Sequence, residues 1–475
     1  MKIYLINPDY MKYGNPPLAF SYLTSYINKI HPDVEIKILD QIHPKKVMKI
    51  IMKDKPDIIG LTSVSENWYK IKELAKEIKN ITDAKLIIGG VHVTTCPKCF
   101  NNSVFDYAIL GEGEIPFTKL ITQIKINKTG IKHLSKIKGL LFRDGKNIIN
   151  TGLPEHIKDL SELPPIDFSL LNMKYYTMPK LSQGLKRTFM ILTSRGCCYN
   201  CSFCSSSCFW ESKIRFFPAE RVVKEIEQLY NYGFRIISLG DDLFSINKTR
   251  IREIIKLLKE KKLLGKIKYD CSARANIFDG ELALLLKELG VTTVSFGFES
   301  GSEKMLRWLK GGNVTIADNK RAVAICKKHG LRINAFFMIG SPYETLEDME
   351  ETYEFIKEQK LDSFMIYQTL AYPGTGVWKY AIENNKVKED FYESKNEEWM
   401  DKTPYLLADV NPERFEEIFK KIKDMQITET RGDYIKKLKD VKLSDIASLF
   451  NIMLIKKAFG LRHKFINKVK QSKDI

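Results

Sequence analysis

Met190-Ile-Leu-Thr-Ser194 runs directly into Arg195-Gly196-Cys197-Cys198-Tyr199-Asn200-Cys201-Ser202-Phe203-Cys204. An apolar strand thus delivers three cysteines, Cys197, Cys201 and Cys204, spaced x3 and x2 on one loop. A short turn has no face on which to bury three thiols, whereas three soft thiolates so close can all reach one iron–sulfur cluster. A four-iron cluster takes four ligands, so three leave one iron open to a substrate or cofactor. A structural zinc site is the alternative, but it wants a second knuckle. Cys96-Pro-Lys-Cys99 offers one only about 100 residues upstream. Cys198 and Cys208 flank the triplet as bystanders, and Cys271 and Cys326 read as small buried hydrophobes.

Downstream, apolar runs at 189–194, 234–239, 266–273, 293–298, 332–339 and 362–370 alternate with helical periodicity at 218–231, 247–262, 279–289, 318–329 and 345–359. Gly233, Gly290 and Gly330 stand where helices end. Six strand–helix units are too few for an eight-unit barrel and predict a partial (β/α)6 barrel, open on one side. Upstream, strands at 2–7, 35–40, 58–64, 85–90 and 107–111 alternate with amphipathic helices. That pattern predicts a doubly wound, Rossmann-like parallel sheet, whose ligands bind beyond the carboxyl ends of its strands. Asn7, Pro8, Thr62, Ser63, Gly89, Gly90, His92, Gly111, Glu112, Gly113 and Glu114 fall there. Gly139–Asn150 reads as a hairpin turning at Asp144-Gly145, and Leu163-Pro164-Pro165 as a linker. The expected organisation is α/β throughout: domains 1–135 and 188–384, joined by 136–187 and followed by a helical region 385–475.

The chain has 475 residues, 44% of them hydrophobic and 28% charged, enough for two or three packed domains. No apolar run of about 18 residues occurs, and the first residues lack a secretory pattern, so a cytoplasmic chain is expected. The net charge of +18 reads as a lysine-rich solvated surface, with no basic stripe interleaved with aromatics, and no nucleic-acid partner is expected. From Arg431 onward 12 Lys and Arg face 4 Asp, flanking the apolar stretch Ile446–Ile455. This region suits either a helix on a membrane surface or one packed on the barrel.

The loop and its setting resemble the radical S-adenosylmethionine (SAM) enzyme superfamily, whose signature is C-x3-C-x-aromatic-C after the first strand of a partial barrel. The resemblance implies a [4Fe-4S] cluster on Cys197, Cys201 and Cys204, with SAM chelating the open iron. One electron then cleaves SAM to a 5′-deoxyadenosyl radical that abstracts an unactivated hydrogen. It also implies SAM contacts from Phe203, from Asp241 in Ser238-Leu-Gly-Asp-Asp242, from Ser272 and Arg274 in Cys271-Ser-Ala-Arg274, and from Glu299 in Phe296–Gly301. Gly340 in Met338–Thr345 would let backbone approach adenine, and Tyr372-Pro-Gly-Thr375 matches the closing element.

The N-terminal half resembles the cobalamin-binding domain that precedes the barrel in one large subfamily, through Asn7-Pro8, Pro16-Pro17-Leu18, Pro56–Gly60, Gly89–His92 and Gly111–Glu114. Asp40-Gln-Ile-His43 departs from the D-x-H-x-x-G lower-ligand motif, so His43 is not expected on cobalt, the lower face is expected open or water-occupied, and His92 is its candidate neighbour. The resemblance implies a cobalamin-dependent radical SAM enzyme that methylates an unactivated carbon, one SAM methylating cobalamin and a second furnishing the radical. A carbon–carbon bond-forming, cyclising or oxidising enzyme without methyl transfer is the alternative, and a basic nucleic-acid-binding protein with a structural metal site a distant one. A methylthio-transferring enzyme is disfavoured, because Cys96 and Cys99 lack a third partner. The expected partners are a small-molecule, lipid or peptide substrate and an electron donor such as ferredoxin or flavodoxin. Peripheral membrane contact through the C-terminal region is a further expectation.

Overall fold

The computed structural model describes residues 1–8, 16–176, 188–394 and 405–439. Its first sheet runs through β1 (Lys2–Pro8), β2 (Glu35–Ile42), β3 (Ile58–Thr62), β4 (Lys85–Gly89), β5 (Tyr107–Ile109), β6 (Leu140–Asp144) and β7 (Asn147–Asn150). The spatial order is β2-β1-β3-β4-β5-β6-β7. The first five strands are parallel and the last two antiparallel. Alternate residues of β1 explain the two-sided cover: Ile3 and Leu5 join a core with Phe20, Ile27 and Phe117, while Tyr4 and Ile6 join one with Trp68, Ile71 and Val47. The hairpin expected ahead of the linker extends this sheet as its antiparallel edge, turning at Gly145-Lys146, one residue later than expected, with Gly145 at φ 58. Residues 151–176 are no loose connection. Ile157, Leu160, Ile166, Phe168 and Tyr176 are buried in the core of the second sheet.

That sheet comprises β8 (Thr188–Ile191), then, after the small hairpin β9 (Ser194–Gly196) and β10 (Ile214–Phe216), β11 (Ile236–Leu239), β12 (Lys268–Ala273), β13 (Val291–Glu299), β14 (Arg332–Ile339) and β15 (Ser363–Gln368). Six strands lie parallel in the order β15-β14-β13-β12-β11-β8, the open partial barrel expected from the count. Along β14, Ile333, Ala335, Phe337 and Ile339 are buried against helices, and Arg332, Asn334, Phe336 and Met338 face the half-buried lumen. The covering helices start at side-chain caps, Asn247 on Arg250 N–H (3.0 Å) and Asp279 on Leu282 N–H (2.8 Å). Helices Gly280–Leu289 and Ile316–His329 end at left-handed Gly290 and Gly330, as their positions predicted.

Helix Pro412–Lys439 closes the described chain, burying Phe415, Ile418, Phe419 and Ile422 beside β15. The apolar stretch 446–455 and most of the basic tail lie outside the described residues. Among the described residues no helix is long and apolar enough to cross a membrane.

Candidate active site

The carboxyl edges of the two sheets face each other across a cavity of about 450 Å³. One wall is made by Thr62, Ser63, Gly89, Gly90, Gly111, Glu112 and Gly113. The other is made by Leu192, Ser194–Gly196, Ser205, Ser206, Gly240 and Asp242, with Phe209 and Trp210 covering it. Both shoulders of the cysteine loop, residues 194–196 and 205–206, therefore belong to this cavity.

On the first wall the backbone does the shaping. Gly90 sits at φ 102, where a Cβ would lie 2.5 Å from Ser63 O and 2.7 Å from Thr62 Oγ1. Only glycine allows β3 and β4 to end so close together. Ser63 Oγ is buried without a hydrogen-bond partner, an orphan that a polar ligand edge would satisfy. Three other expected contacts are placed elsewhere. Asn7 donates from Nδ2 to Asp40 Oδ1 (2.7 Å), tying β1 to β2, and neither it nor Pro8 lines the cavity. His92 is 1% exposed, packed on Trp68 and Tyr392, with Nδ1 on Ser65 Oγ at 3.0 Å. Burial and then Lys72 push its pKa down to about 3, so it is a neutral core histidine, and it does not line the cavity. His43 caps helix Pro44–Asp54 by accepting from Lys45 N–H (3.2 Å).

On the second wall the cysteine loop is held by its middle. Ser202 N–H donates to Leu309 O (2.9 Å), and Val377 N–H donates to Ser202 O (3.0 Å). Phe203 packs with the group of Ala371, Val377, Ala381 and Leu407. Cys197, Cys201 and Cys204 are all free thiols of intermediate exposure. Burial raises Cys197 and pushes Cys204 up to about 11, so these thiols keep their protons until a metal takes the sulfur. Arg274 sets a cation against the loop: Nη1 donates to Cys201 Sγ (3.3 Å), Nη2 donates to Lys310 O (3.2 Å), and the guanidinium lies 3.8 Å over the Tyr199 ring. Among the described residues no three His, Cys, Asp or Glu side chains converge as on a single ion. A lone tetrahedral ion about 2.3 Å from each sulfur would draw the thiolates within about 4 Å of one another. A polynuclear cluster instead takes each thiolate on a separate iron. The donor set fits such a cluster. Cys271 and Cys326 are buried, as expected, and Cys208 Sγ donates to Gly374 O (2.9 Å).

The acidic pair at the end of β11 divides its work. Asp241, expected at SAM, is 2% exposed and turned away from the cavity. It accepts from Thr193 N–H (2.8 Å), Thr193 Oγ1 (2.9 Å) and both donors of Ser194, so it fixes the start of the cysteine loop. Arg250, unremarked in the sequence, braces the same segment by donating to Thr193 O (2.6 Å). Asp242 is the carboxyl that lines the cavity; burial raises its pKa, and Ser206 and Trp210 oppose that by hydrogen bonding. Both residues lie beyond the end of β11, in the turn that follows it, where the backbone path and not the strand pleat sets which carboxyl faces the cavity. Ser272 is half-buried on the lumen face of β12. Glu299 adopts φ 62, uncommon for a non-glycine residue, and pairs with Lys310 Nζ at 3.1 Å, which also donates to Gly297 O (2.5 Å). Gly340 sits at φ 77, but the space of its missing Cβ is taken by Leu406 and Phe415 at 3.0 Å, a packing requirement and not a ligand gap. Beside it Glu344 accepts from Ser341 N–H (2.8 Å) and is pushed up to about 8 by burial.

The two walls are joined by buried charge. Arg195 Nη1 donates to Glu112 Oε1 (2.6 Å) and Nη2 to Glu114 Oε1 (2.5 Å), across 83 and 81 residues of sequence. Arg215 Nη1 adds a second cation on Glu112 Oε2 (2.7 Å). Burial opposes ionisation of Glu112, but Arg215 and Arg195 outweigh it and hold its carboxyl below the usual range. Glu112 was expected as a ligand contact. In the structure it lines the cavity while its charge is spent on the neighbouring sheet. A signal was present, since two acids at one strand end and an arginine before the cysteines are complementary, but pairing over such a distance is not readable from one chain.

Comparison with known proteins places this architecture. The sequence profile of the radical SAM superfamily matches residues 191–356, and that of the B12 binding domain matches residues 10–121. An uncharacterized methyltransferase of Pyrococcus horikoshii is 34% identical over 378 residues, covering 78% of this chain and 79% of the relative. The anaerobic magnesium-protoporphyrin IX monomethyl ester cyclase of Cereibacter sphaeroides is 27% identical over 368 residues, covering 74% of this chain and 59% of its own. Among solved structures, the radical S-adenosylmethionine methyltransferase TsrM from Kitasatospora setae, with cobalamin and a [4Fe-4S] cluster bound, superposes with a TM-score of 0.70. It shares 19% identity, with 82% of this chain and 79% of that one covered.

Proposed function

Because the chain belongs to the radical SAM superfamily and carries a B12-binding domain, we propose that it is a cobalamin-dependent methyltransferase acting on an unactivated carbon. The observation that carries this reading is the single cavity shared by the glycine-lined edge of the first sheet and both shoulders of the cysteine loop. Cys197, Cys201 and Cys204 would hold the [4Fe-4S] cluster, and Arg274 would offset the negative charge of Cys201. Asp242, buried beside Ser206 and Trp210, would hold the ammonium of SAM, while Asp241 keeps the loop's entry rigid. Phe203, Ser272 and the Glu299–Lys310 pair would frame the remainder of SAM. Thr62, Ser63, Gly89, Gly90, Gly111 and Gly113 would receive the flat corrin, with Ser63 Oγ free to meet a polar group at its rim. Bound there, these cofactors supply a carbon radical able to take an unactivated hydrogen, and a transferable methyl group. Phe209 and Trp210 would exclude water from the reacting carbon.

The similarity to an anaerobic cyclase favours a second reading, oxidative cyclisation without methyl transfer. Anaerobically reconstituted protein, given strong reductant, SAM and candidate substrates, separates the two. Methyl transfer adds about 14 Da to the substrate, whereas cyclisation removes about 2 Da. Roughly four irons and one cobalt per chain, with 5′-deoxyadenosine formed on reduction, are expected in either case. Absence of the nucleoside from iron-loaded protein overturns both.

A further inference from the structure

Cys96 and Cys99 take no part in the chemistry above. Helix Val91–Thr95 leaves the cavity wall at Gly90 and ends at Cys96, whose N–H donates to His92 O (2.8 Å). The following turn, Pro97–Phe100, has Cys99 N–H donating to Cys96 O (3.1 Å). A four-residue turn of this kind brings its end Cα atoms within about 7 Å, the span a disulfide bridges. The two side chains are neighbours, each the largest influence on the other's titration. Cys96 is partly exposed, and Cys99 is 5% exposed. The asymmetry extends to charge: the neighbouring Cys99 thiol holds Cys96 below the ordinary thiol range, while Cys96 and then burial raise Cys99.

We propose that Cys96 and Cys99 form a reversible dithiol–disulfide couple, a redox modification site in the first sheet distinct from the cluster cysteines. The more accessible Cys96, as thiolate, attacks one sulfur of an external protein or low-molecular-weight disulfide and expels the other as a thiol. Cys99 then loses its proton to solvent and attacks the Cys96 sulfur, releasing the second thiol. Two protein thiols thus lose two electrons in forming one S–S bond, and the external disulfide is reduced to two thiols. Closure would stiffen the end of the helix whose start, Gly90 and Val91, walls the cavity.

Trypsin provides the readout, because it cuts after Lys98, between the two cysteines. The full chain is treated anaerobically with oxidised or reduced glutathione, alkylated, and digested without reductant. After oxidised glutathione, peptides 86–98 and 99–119 should remain joined and part on reduction. After reduced glutathione they should appear separately, each alkylated. In Cys99→Ser, Cys96 should instead carry a glutathione adduct, and the iron content should match that of the unsubstituted chain. Separate alkylated peptides under oxidised glutathione, either cysteine joined to a different partner, or an unmodified Cys96 in Cys99→Ser would each overturn the proposal.

Discussion

The two sheet edges that meet at the cavity solve different problems with one topology. Both are parallel, so both gather their loops at the carboxyl ends of the strands. The first edge is made of backbone and small side chains, Thr62, Ser63, Gly89, Gly90, Gly111 and Gly113, and its two acids there, Glu112 and Glu114, are neutralised from across the gap. The second edge carries Arg274, Asp241, Asp242, Glu299 and Lys310, and most of these charges answer one another or the cysteine loop. A broad, flat ligand needs side chains out of its way, whereas a small zwitterion and a charged cluster need counter-charges at fixed places. The contrast shows that strand topology chooses where a ligand goes, and loop composition chooses what it is.

Each prediction tests whether the edges are as separable as this contrast makes them. Cys201→Ala should have the largest effect, lowering iron from about four per chain to near zero and stopping SAM cleavage, while cobalt uptake by the first edge persists. Parallel loss of cobalt in metal analysis would show that the edges load as one unit. Arg195→Gln should come next, since it strands Glu112 and Glu114 in a buried setting. Breaking such a pair costs about 3–5 kcal/mol, read as a lower urea midpoint. Gly90→Ala forces a Cβ against Ser63 O at a left-handed φ, costing on the order of 1–3 kcal/mol. Cobalt binding should fall while iron content stays, and loss of both would blur the division. Per unit step, the smallest effect belongs to pH. His92 titrates near 3 in the fold, below its ordinary 6.5, so its contribution is complete above pH 6.5 and is lost as pH falls toward 3. Unfolding free energy should decline by at most about 1.4 kcal/mol per pH unit there, and His92→Gln should flatten that slope.

Much of the fold was readable because buried parallel strands write continuous apolar runs, as in Ile58–Thr62 and Lys85–Gly89, separated by helices with caps such as Asn247 and Asp279. The six barrel strands and the cysteine loop stand where periodicity and spacing put them. What escaped is long-range or depends on which way a side chain turns. Asp241 and Asp242 are indistinguishable by composition, yet one is sealed beneath the loop and the other faces the cavity. Lys310, partner of Glu299, sits at the end of an ordinary-looking amphipathic helix, and His92 shares its Gly-Gly-x-His context with residues that do line the site. The hairpin β9–β10 was missed because each of its strands is only three residues long.

Arg195 holding both Glu112 and Glu114 has a consequence for recombination. The halves of this chain are not interchangeable cassettes. A chimera that grafted the first 150 residues onto a foreign barrel would import two buried carboxylates lacking their cation, and the reciprocal graft would import an orphaned guanidinium beside the cysteines. Exchange of domains within such proteins would therefore have to carry the acids and the arginine together, so that this contact acts as a compatibility code between the parts.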